Sequence, residues 1–332
     1  MSNELRSHSP KFSIEEIRAL AKEFYDLNDF IEELPSERDQ NILFGKYERK
    51  FILKISNTDE EYSILDMQNQ AIELTHNGIE IIPSIDGQKI VQFKNHFVRL
   101  VNYLPGIPLA QYKFHTKKLF LNLGKLLAQI DKILENFQHE KADRDLYWNM
   151  FNAETIVNKY KNLITDHSRL NIIETILRNW IEFVQPKFSF LRKSIIHNDA
   201  NDYNIIIVDE DQINLIDYGD MCLTFTICEL AIACAYAMLD KENPLESAEY
   251  LIKGYHQIYP LQDVEIELIH YFIQMRLAMS VTISAYQKQI QPDNEYLVIS
   301  EKPAWNLLEK LHAFDVKSVQ ETFRFACNEN HD

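Results

Sequence analysis

The sequence predicts an α+β chain of two lobes, in which a small antiparallel sheet forms the N-terminal lobe and a mainly helical lobe follows. Short β-rich runs separated by turn residues fill much of the first hundred positions, and apolar residues at helical spacing dominate after them. At 332 residues the chain also exceeds the usual size of one hydrophobic core. We place the two lobes at residues 1–102 and 103–332.

The N-terminal part reads as strands around one long helix. ILFGKY and KFILKIS are typical of paired strands, and TDEEYSILDMQNQAIELTHNG is typical of a helix with Gly78 as its C-cap. IEIIPSI, KIVQF and FVRLVNYL add three strand-like runs. Within FILKIS, Lys54 alternates with apolar residues that define the opposite face of the strand, namely Phe51, Leu53 and Ile55.

The C-terminal part carries helical periodicity, and the segment LPGIP at 104–108 separates it from the strands. Five segments show the i, i+3, i+4 apolar spacing of helices that face a core. They are KKLFLNLGKLLAQIDKILENF, FNAETIVNKYKNLI, NIIETILRNWIEFV, TICELAIACAYAML and VEIELIHYFIQMRLAMSVTISAYQ.

Composition limits the function classes. A formal charge of −16 without a long basic cluster argues against nucleic acid as a partner. No apolar stretch has the length of a membrane span, and the N-terminus lacks the apolar core of a signal peptide. Cys222, Cys228 and Cys234 fit neither a zinc site nor a disulfide framework, so we expect buried thiols and a cytoplasmic location.

The polar octet HNDANDYN at 197–204 stands between strand-like runs. It leads into NIIIV, an acidic turn DEDQ, and INLIDYGD, which is a hairpin pattern that brings Asn204 close to Asp217. Phosphoryl transfer from a Mg²⁺-nucleotide needs a carboxylate that orients the attacking hydroxyl and oxygen ligands that hold the metal. Asp199, Asn204 and Asp217 supply these groups, although any one of them could instead cap a turn.

These motifs resemble the aminoglycoside phosphotransferase and choline kinase-like superfamily, which has a protein-kinase-like fold. HNDANDYN is similar to its catalytic loop, and IDYGD to its metal-binding segment. Further stretches are similar to the branch that contains hydroxylysine kinase and aminotransferase-associated kinase-like domains. These are LPSERDQN, FILKIS, LDMQNQA, VRLVNYLPGIPLA, CELAIACAYAML and RLAMSVTISA.

The resemblance assigns roles to residues of the C-terminal lobe. It implies that Asp199 is the catalytic base and that Asn204 and Asp217 are Mg²⁺ ligands. His197 is interpreted as an orienting residue that bonds backbone near Asp217. Asn198 stands where glycine is common in related enzymes, which should alter the loop locally.

In the N-terminal lobe, the resemblance makes Lys54 the lysine that binds the nucleotide phosphates. Gln68 occupies the place of the glutamate that usually pairs with it. The nucleotide loop has no glycine-rich motif, so we expect Ser36, Arg38 and Asn41 to supply donors instead.

The connection between the lobes and the acceptor side carry further predictions. Backbone groups at Asn102 and Leu104 should receive the purine base. Asp220 either holds a substrate ammonium group or caps a turn. Arg276, on an apolar helix, either clamps a substrate carboxylate or phosphate or finds a structural carboxylate partner. Glu229 is interpreted as a buried structural partner.

Together these features predict a phosphotransferase with an alcohol group as acceptor. The γ-phosphoryl group of ATP or GTP, bound with Mg²⁺, would pass to a small metabolite, with an amino alcohol or a hydroxy amino acid such as hydroxylysine favoured. The alternative is a nucleotide-binding pseudoenzyme or interaction module, supported by Gln68 and the unusual loop. The sequence does not indicate the oligomeric state.

Overall fold

The computed structural model describes residues 9–36, 38–291 and 299–328, and these form two compact units. One unit extends to Pro105 and includes His139–Ala142, and the other covers Gly106–Gln138 and continues from Asp143. Within the described ranges, no helix combines the length and the apolar character needed to cross a membrane.

The first unit is a six-stranded antiparallel sheet with two helices. The strands follow the order β1-β2-β3-β6-β4, and β5 pairs with β6. The elements are α1 (Ile14–Tyr25), β1 (Asp29–Leu34), β2 (Gln40–Lys46), β3 (Arg49–Ile55), α2 (Tyr62–Thr75), β4 (Ile81–Ile82), β5 (Val91–Phe93) and β6 (His96–Asn102). The predicted pairing of ILFGKY with KFILKIS is confirmed as β2 and β3.

The two faces of this sheet differ in polarity. One face is buried against α1, and its side chains include the predicted apolar set Phe51, Leu53 and Ile55. The other face carries Lys54 and lies on the side of α2, because alternate residues of a strand point to opposite faces. The alternation predicted for FILKIS is therefore confirmed.

Two local features of this unit differ from the sequence prediction. The sequence interpretation did not include α1, although Ser13 and Glu16 form a reciprocal capping box at its start. The prediction of Gly78 as the C-cap of α2 is wrong, because the helix already ends at His76, which adopts a left-handed conformation with φ of 47°.

The second unit is mostly helical and contains two small antiparallel sheets, one of order β10-β9-β7 and one of β11-β8. Its strands are β7 (Ile107–Pro108), β8 (Lys193–Ile196), β9 (Ile205–Ile207), β10 (Ile213–Leu215) and β11 (Cys222–Phe225). Its helices are α3 (Lys117–Leu134), α4 (Ala153–Tyr160), α5 (His167–Asn179), α6 (Ile227–Ala237), α7 (Pro244–Ile258), α8 (Asp263–Ile290), α9 (Glu301–Ala313) and α10 (Val316–Asn328).

The core of the second unit surrounds α6 and α8. Every residue of α6 is buried, and α8 is buried along most of its length. Cys222, Cys228 and Cys234 are buried free thiols, as predicted. The five helical segments predicted from periodicity correspond to α3, α4, α5, α6 and α8, whereas α7, α9 and α10 were not predicted.

Two glycines set the closest approach of α3 and α7. A Cβ atom added at Gly124 would lie 2.0 Å from the Leu251 carbonyl oxygen, and one added at Gly254 would lie 1.9 Å from the Leu121 carbonyl oxygen. Both clashes involve backbone, which cannot rotate away as a side chain can. The helices can therefore pack at this distance only if both positions are glycine.

We expect Gly124→Ala to lower the free energy of unfolding of the second unit by about 1–3 kcal/mol, the usual cost of overpacking. The measurement is the free energy of unfolding from urea titration. Lys125→Ala, at the neighbouring half-buried position of α3, is the matched control. Equal stability of the two variants would show that the helices separate without cost.

Candidate active site

The predicted hairpin is confirmed and brings Asn204 next to the segment that carries Asp217. Strands β9 and β10 pair antiparallel, with Ile205 opposite Leu215. The Ile216 N–H donates to the Asn204 carbonyl oxygen at 2.9 Å, and Asp217 follows directly. Asp217 is exposed and left-handed, with φ of 67°, and its carboxylate accepts a hydrogen bond from the Gly219 N–H at 3.3 Å.

The side chain of Asn204 is oriented by Asp199. Its Nδ2 donates to the Asp199 carbonyl oxygen at 2.9 Å and to the Asp199 Oδ2 at 2.7 Å. The side chain of Asn201 closes the loop between them by accepting the N–H groups of Tyr203 and Asn204. With Nδ2 committed, Oδ1 is the atom of Asn204 that can ligate a cation.

The candidate metal ligands are therefore an amide oxygen and one carboxylate. Among the described residues, no group of three or more His, Cys, Asp or Glu side chains could hold a metal ion alone. Mg²⁺ commonly binds through one or two protein oxygens together with substrate phosphates. Asn204 and Asp217 fit this kind of site, in which the nucleotide completes the coordination.

Charges of opposite sign lie close to the carboxyl group of Asp199. Burial raises the pKa of its carboxyl group to about 8, and the negative charge of Asp220 adds to the increase, whereas the Arg276 guanidinium opposes it. Arg276 Nη2 lies 3.3 Å from Asp199 Oδ1. The positive charge of Arg276 limits this increase, but on balance the surroundings shift the Asp199 carboxyl group of the nucleotide-free chain towards its protonated form.

Arg276 is held from several sides within the helical unit. Its side chain is only 2% exposed, and its guanidinium carbon lies 4.5 Å from the centre of the Trp148 ring. The Tyr236 side chain is a further hydrogen-bond partner. Sequence reasoning identified Arg276 but missed both aromatic partners, because no local pattern links them to it.

Backbone contacts anchor the loop that precedes Asp199. His197 Nε2 donates to the Ile216 carbonyl oxygen at 3.0 Å, which confirms the backbone contact predicted for this residue, and its Nδ1 accepts the Asp199 N–H at 3.2 Å. Asn198 is left-handed, with φ of 67°, and its N–H donates to the buried Glu229 carboxylate at 2.7 Å. Asparagine tolerates this conformation better than most residues other than glycine.

Asp220 lies beside this loop and is buried. Its carbonyl oxygen accepts a hydrogen bond from Asn198 Nδ2 at 3.1 Å, so its backbone helps to hold the loop. Its carboxylate is close enough to Asp199 to raise the pKa of that group. The second unit therefore carries five of the predicted site residues, namely Asp199, Asn204, Asp217, Asp220 and Arg276.

In the first unit, Lys54 belongs to a polar row across the sheet formed by Asn41, Lys54 and Arg99. Lys54 is the direct cross-strand partner of Asn41 on β2 and of Arg99 on β6. Arg99 is buried, and its Nη2 donates to Gln68 Oε1 at 2.7 Å. The sequence interpretation did not include Arg99, because its position beside Lys54 follows only from the register of β3 and β6.

Gln68, the predicted partner of Lys54, thus accepts a hydrogen bond from a different cation, Arg99. Arg99 Nη1 also donates to Asn69 Oδ1 at 2.9 Å, so two neutral amides of α2 receive the same guanidinium. An amide oxygen here accepts from arginine in the way that the expected glutamate would accept from lysine. A direct role of Gln68 towards Lys54 or nucleotide stays a prediction.

The other residues predicted to contact nucleotide lie in the connection between β1 and β2 and at the end of β6. Ser36 and Arg38 belong to the connection between β1 and β2, where Ser36 Oγ accepts the Asp39 N–H at 3.2 Å; position 37 lies outside the described residues. Asn102 ends β6, and its N–H donates to the Glu80 carbonyl oxygen at 3.2 Å. A purine contact at Asn102 would therefore use another group, and Leu104 lies two residues beyond.

The architecture is kinase-like, as the sequence predicts. An amicoumacin kinase structure in complex with AMP-PNP, Ca²⁺ and Ami aligns with a TM-score of 0.69 at 14% identity, over 93% of this chain and 97% of that chain. A microcompartment-associated aminopropanol kinase aligns with a TM-score of 0.72 at 12% identity, over 93% of this chain and 99% of that chain.

Sequence comparison defines the family. Residues 31–263 match the phosphotransferase enzyme family. A hydroxylysine kinase of Mus musculus is 30% identical, with 95% of this chain and 93% of that protein covered. The chain belongs to the phosphotransferase enzyme family, and it is a small-molecule kinase that acts on a hydroxyl group.

Proposed function

We propose that this kinase transfers the γ-phosphoryl group of ATP or GTP, bound with Mg²⁺, to the hydroxyl of an amino alcohol or hydroxy amino acid, and that hydroxylysine is the first acceptor to test. The observation that supports this most is the way Asn204 holds Asp199 while presenting its own Oδ1. The similarity to hydroxylysine kinases along nearly the whole chain favours the acceptor.

Asp199 accepts and orients the proton of the attacking hydroxyl in this proposal. Its hydrogen bond from Asn204 and its ion pair with Arg276 fix the direction of the carboxylate, and positioning of this kind lowers the barrier without new covalent chemistry. Asn204 Oδ1 and Asp217 would hold Mg²⁺. When bound, Mg²⁺ neutralises phosphate charge.

The first unit supplies the nucleotide contacts. Lys54 binds the phosphates, and Asn41 lies beside it on the same face of the sheet. Ser36 and Arg38 offer further donors from the β1–β2 connection, and Gln68, held by Arg99, keeps α2 against this face. We expect Asn102 and Leu104 to contact the purine base, Asn102 through a group other than its N–H.

An amino group of the acceptor would suit Asp220, because a buried carboxylate beside another carboxylate gains from a cationic partner. A small cationic acceptor also agrees with the acidic chain. We place the enzyme in the cytoplasm, with nucleotide and small-molecule acceptor as its partners and without nucleic acid or membrane.

The test is phosphorylation of a matched acceptor panel by the purified full chain. We expect Mg²⁺-dependent conversion of ATP or GTP to the diphosphate with hydroxylysine, and no stimulation by lysine, which lacks only the hydroxyl. Homoserine, choline, ethanolamine, 1-amino-2-propanol and an aminoglycoside complete the panel. Mass spectrometry identifies the phosphorylated product.

The panel separates the acceptor from the reaction. Equal nucleotide consumption with hydroxylysine and lysine would contradict transfer to the hydroxyl. Stimulation by another compound alone would retain the reaction and replace the acceptor. Binding of Mg²⁺-nucleotide without transfer to any compound of the panel would contradict the proposed acceptor class.

A further inference from the structure

The carboxylate of Asp199 is held at both of its oxygen atoms. Asn204 Nδ2 lies 2.7 Å from Oδ2, and Arg276 Nη2 lies 3.3 Å from Oδ1. Asn204 belongs to the same loop as Asp199, whereas Arg276 comes from the long helix α8. Because the two donors lie on different elements and reach different oxygens, together they restrict rotation of the carboxylate.

Arg276 is itself fixed in place. Its guanidinium stacks on Trp148, and its Nη1 is 3.5 Å from the Trp148 carbonyl oxygen. The Tyr236 ring lies 5.6 Å from the guanidinium carbon and its side chain is a hydrogen-bond partner. An arginine on an apolar helix usually extends its head group to water. This one stays inside, where its pairing with the Asp199 carboxylate offsets part of the cost of burying its charge.

Within the function proposed above, the geometry assigns Arg276 as a positioning residue that acts through Asp199 and does not bind the acceptor. With 2% of its side chain exposed, Arg276 presents almost no surface to a ligand. Its short contact to a reacting group is the one to Asp199. This assignment differs from the substrate clamp, one of the two alternatives that the sequence left open, and the two assignments predict different kinetic effects.

The kinetic test compares Arg276→Gln, Arg276→Lys and Tyr236→Phe with the native chain, using the acceptor that the panel identifies. We expect Arg276→Gln to lower kcat about 100-fold, because a misplacement of about 1 Å at a reacting group can have that effect. The KM values for nucleotide and acceptor should stay within about 3-fold. A substrate clamp would instead raise the acceptor KM, and that result overturns the assignment.

Two conservative variants distinguish a positioning role of Arg276 from a purely structural role. Arg276→Lys keeps a cation and should recover part of kcat. Tyr236→Phe removes one hydroxyl from the support of Arg276 and should lower kcat several-fold with an unchanged melting temperature. If the lysine variant recovered nothing and the phenylalanine variant kept native kcat, Arg276 would be a purely structural residue.

A double-mutant cycle tests whether the effect passes through Asp199. In an Asp199→Ala background, Arg276→Gln should change the residual rate by less than about 3-fold, since the group that it positions is gone. An equal loss in both backgrounds overturns the assignment.

Crystal structures of the native chain and of Arg276→Gln give an answer that does not depend on turnover. We expect the Asp199 carboxylate to rotate away from its native direction in the variant, while Asn204 keeps its bond to the Asp199 carbonyl oxygen. An unchanged Asp199 side chain overturns the assignment. If no acceptor is phosphorylated, the proposed function fails while this comparison still decides the role of Arg276.

Discussion

Asp199→Ala is expected to lower kcat by about 10²–10⁴-fold, the range that a positioned acid or base contributes. In the proposed mechanism this carboxylate orients the attacking hydroxyl, and we do not expect Asp220 to replace it. Asp220 is close, yet its carbonyl oxygen is tied to Asn198 in the anchor of the same loop.

Nucleotide binding should survive this substitution. Asn204 keeps its hydrogen bond to the Asp199 carbonyl oxygen, which alanine retains, so the direction of Asn204 Oδ1 is preserved. Binding of Mg²⁺-nucleotide, measured by calorimetry, should therefore stay within about 3-fold of native, which is less than 1 kcal/mol. The kcat and the dissociation constant for Mg²⁺-nucleotide are measured on the same protein preparation.

Two variants serve as controls for Asp199→Ala. Asp199→Asn keeps the side-chain shape and an oxygen for Asn204 but lacks the basic carboxylate, so it should also be nearly inactive. Glu182→Ala removes an exposed carboxylate from the same unit and should leave kcat unchanged. Near-native kcat in Asp199→Ala would refute the role proposed for this residue.

The parts of the site that the sequence predicted are those written in consecutive residues. The loop and hairpin from His197 to Asp217 form a local unit, in which turn residues and β-rich runs define the partners. Alternation in FILKIS likewise needs only the period of a strand to place Lys54 opposite the apolar face.

The parts that the sequence missed depend on distant partners. Gln68 and Arg99 are 31 residues apart, and Arg276 and Asp199 are 77 apart. Helical or strand periodicity indicates which face a residue occupies, but it does not indicate which element packs against that face. A polar residue at an apolar position showed that Arg276 needed a partner, and only the tertiary structure identified it.

Helix ends show the same limit at short range. Gly78 is the residue expected to adopt a left-handed conformation, and it does have a positive φ of 77°. The helix α2 nevertheless ends earlier, at His76, which itself adopts a left-handed conformation. Composition therefore indicated a turn in this stretch but not the residue that ends the helix.

Asp217→Ala is expected to weaken binding of Mg²⁺-nucleotide by more than about 10-fold, which corresponds to about 1.4 kcal/mol. Asp217 is the only carboxylate of the proposed ligand pair, and Asn204 supplies a neutral oxygen. Binding of nucleotide without Mg²⁺ should change little, because the contacts proposed for Lys54 and the other residues of the first unit do not depend on Asp217.

Asp217→Asn is the variant that isolates the charge. Alanine at φ of 67° strains the backbone by about 1–2 kcal/mol and removes the acceptor for the Gly219 N–H, whereas asparagine tolerates this conformation and keeps an acceptor. A loss of Mg²⁺-dependent affinity in both variants assigns the effect to the missing carboxylate. A loss in alanine alone would assign it to the turn, and Asp217 would then be a structural cap and not a metal ligand.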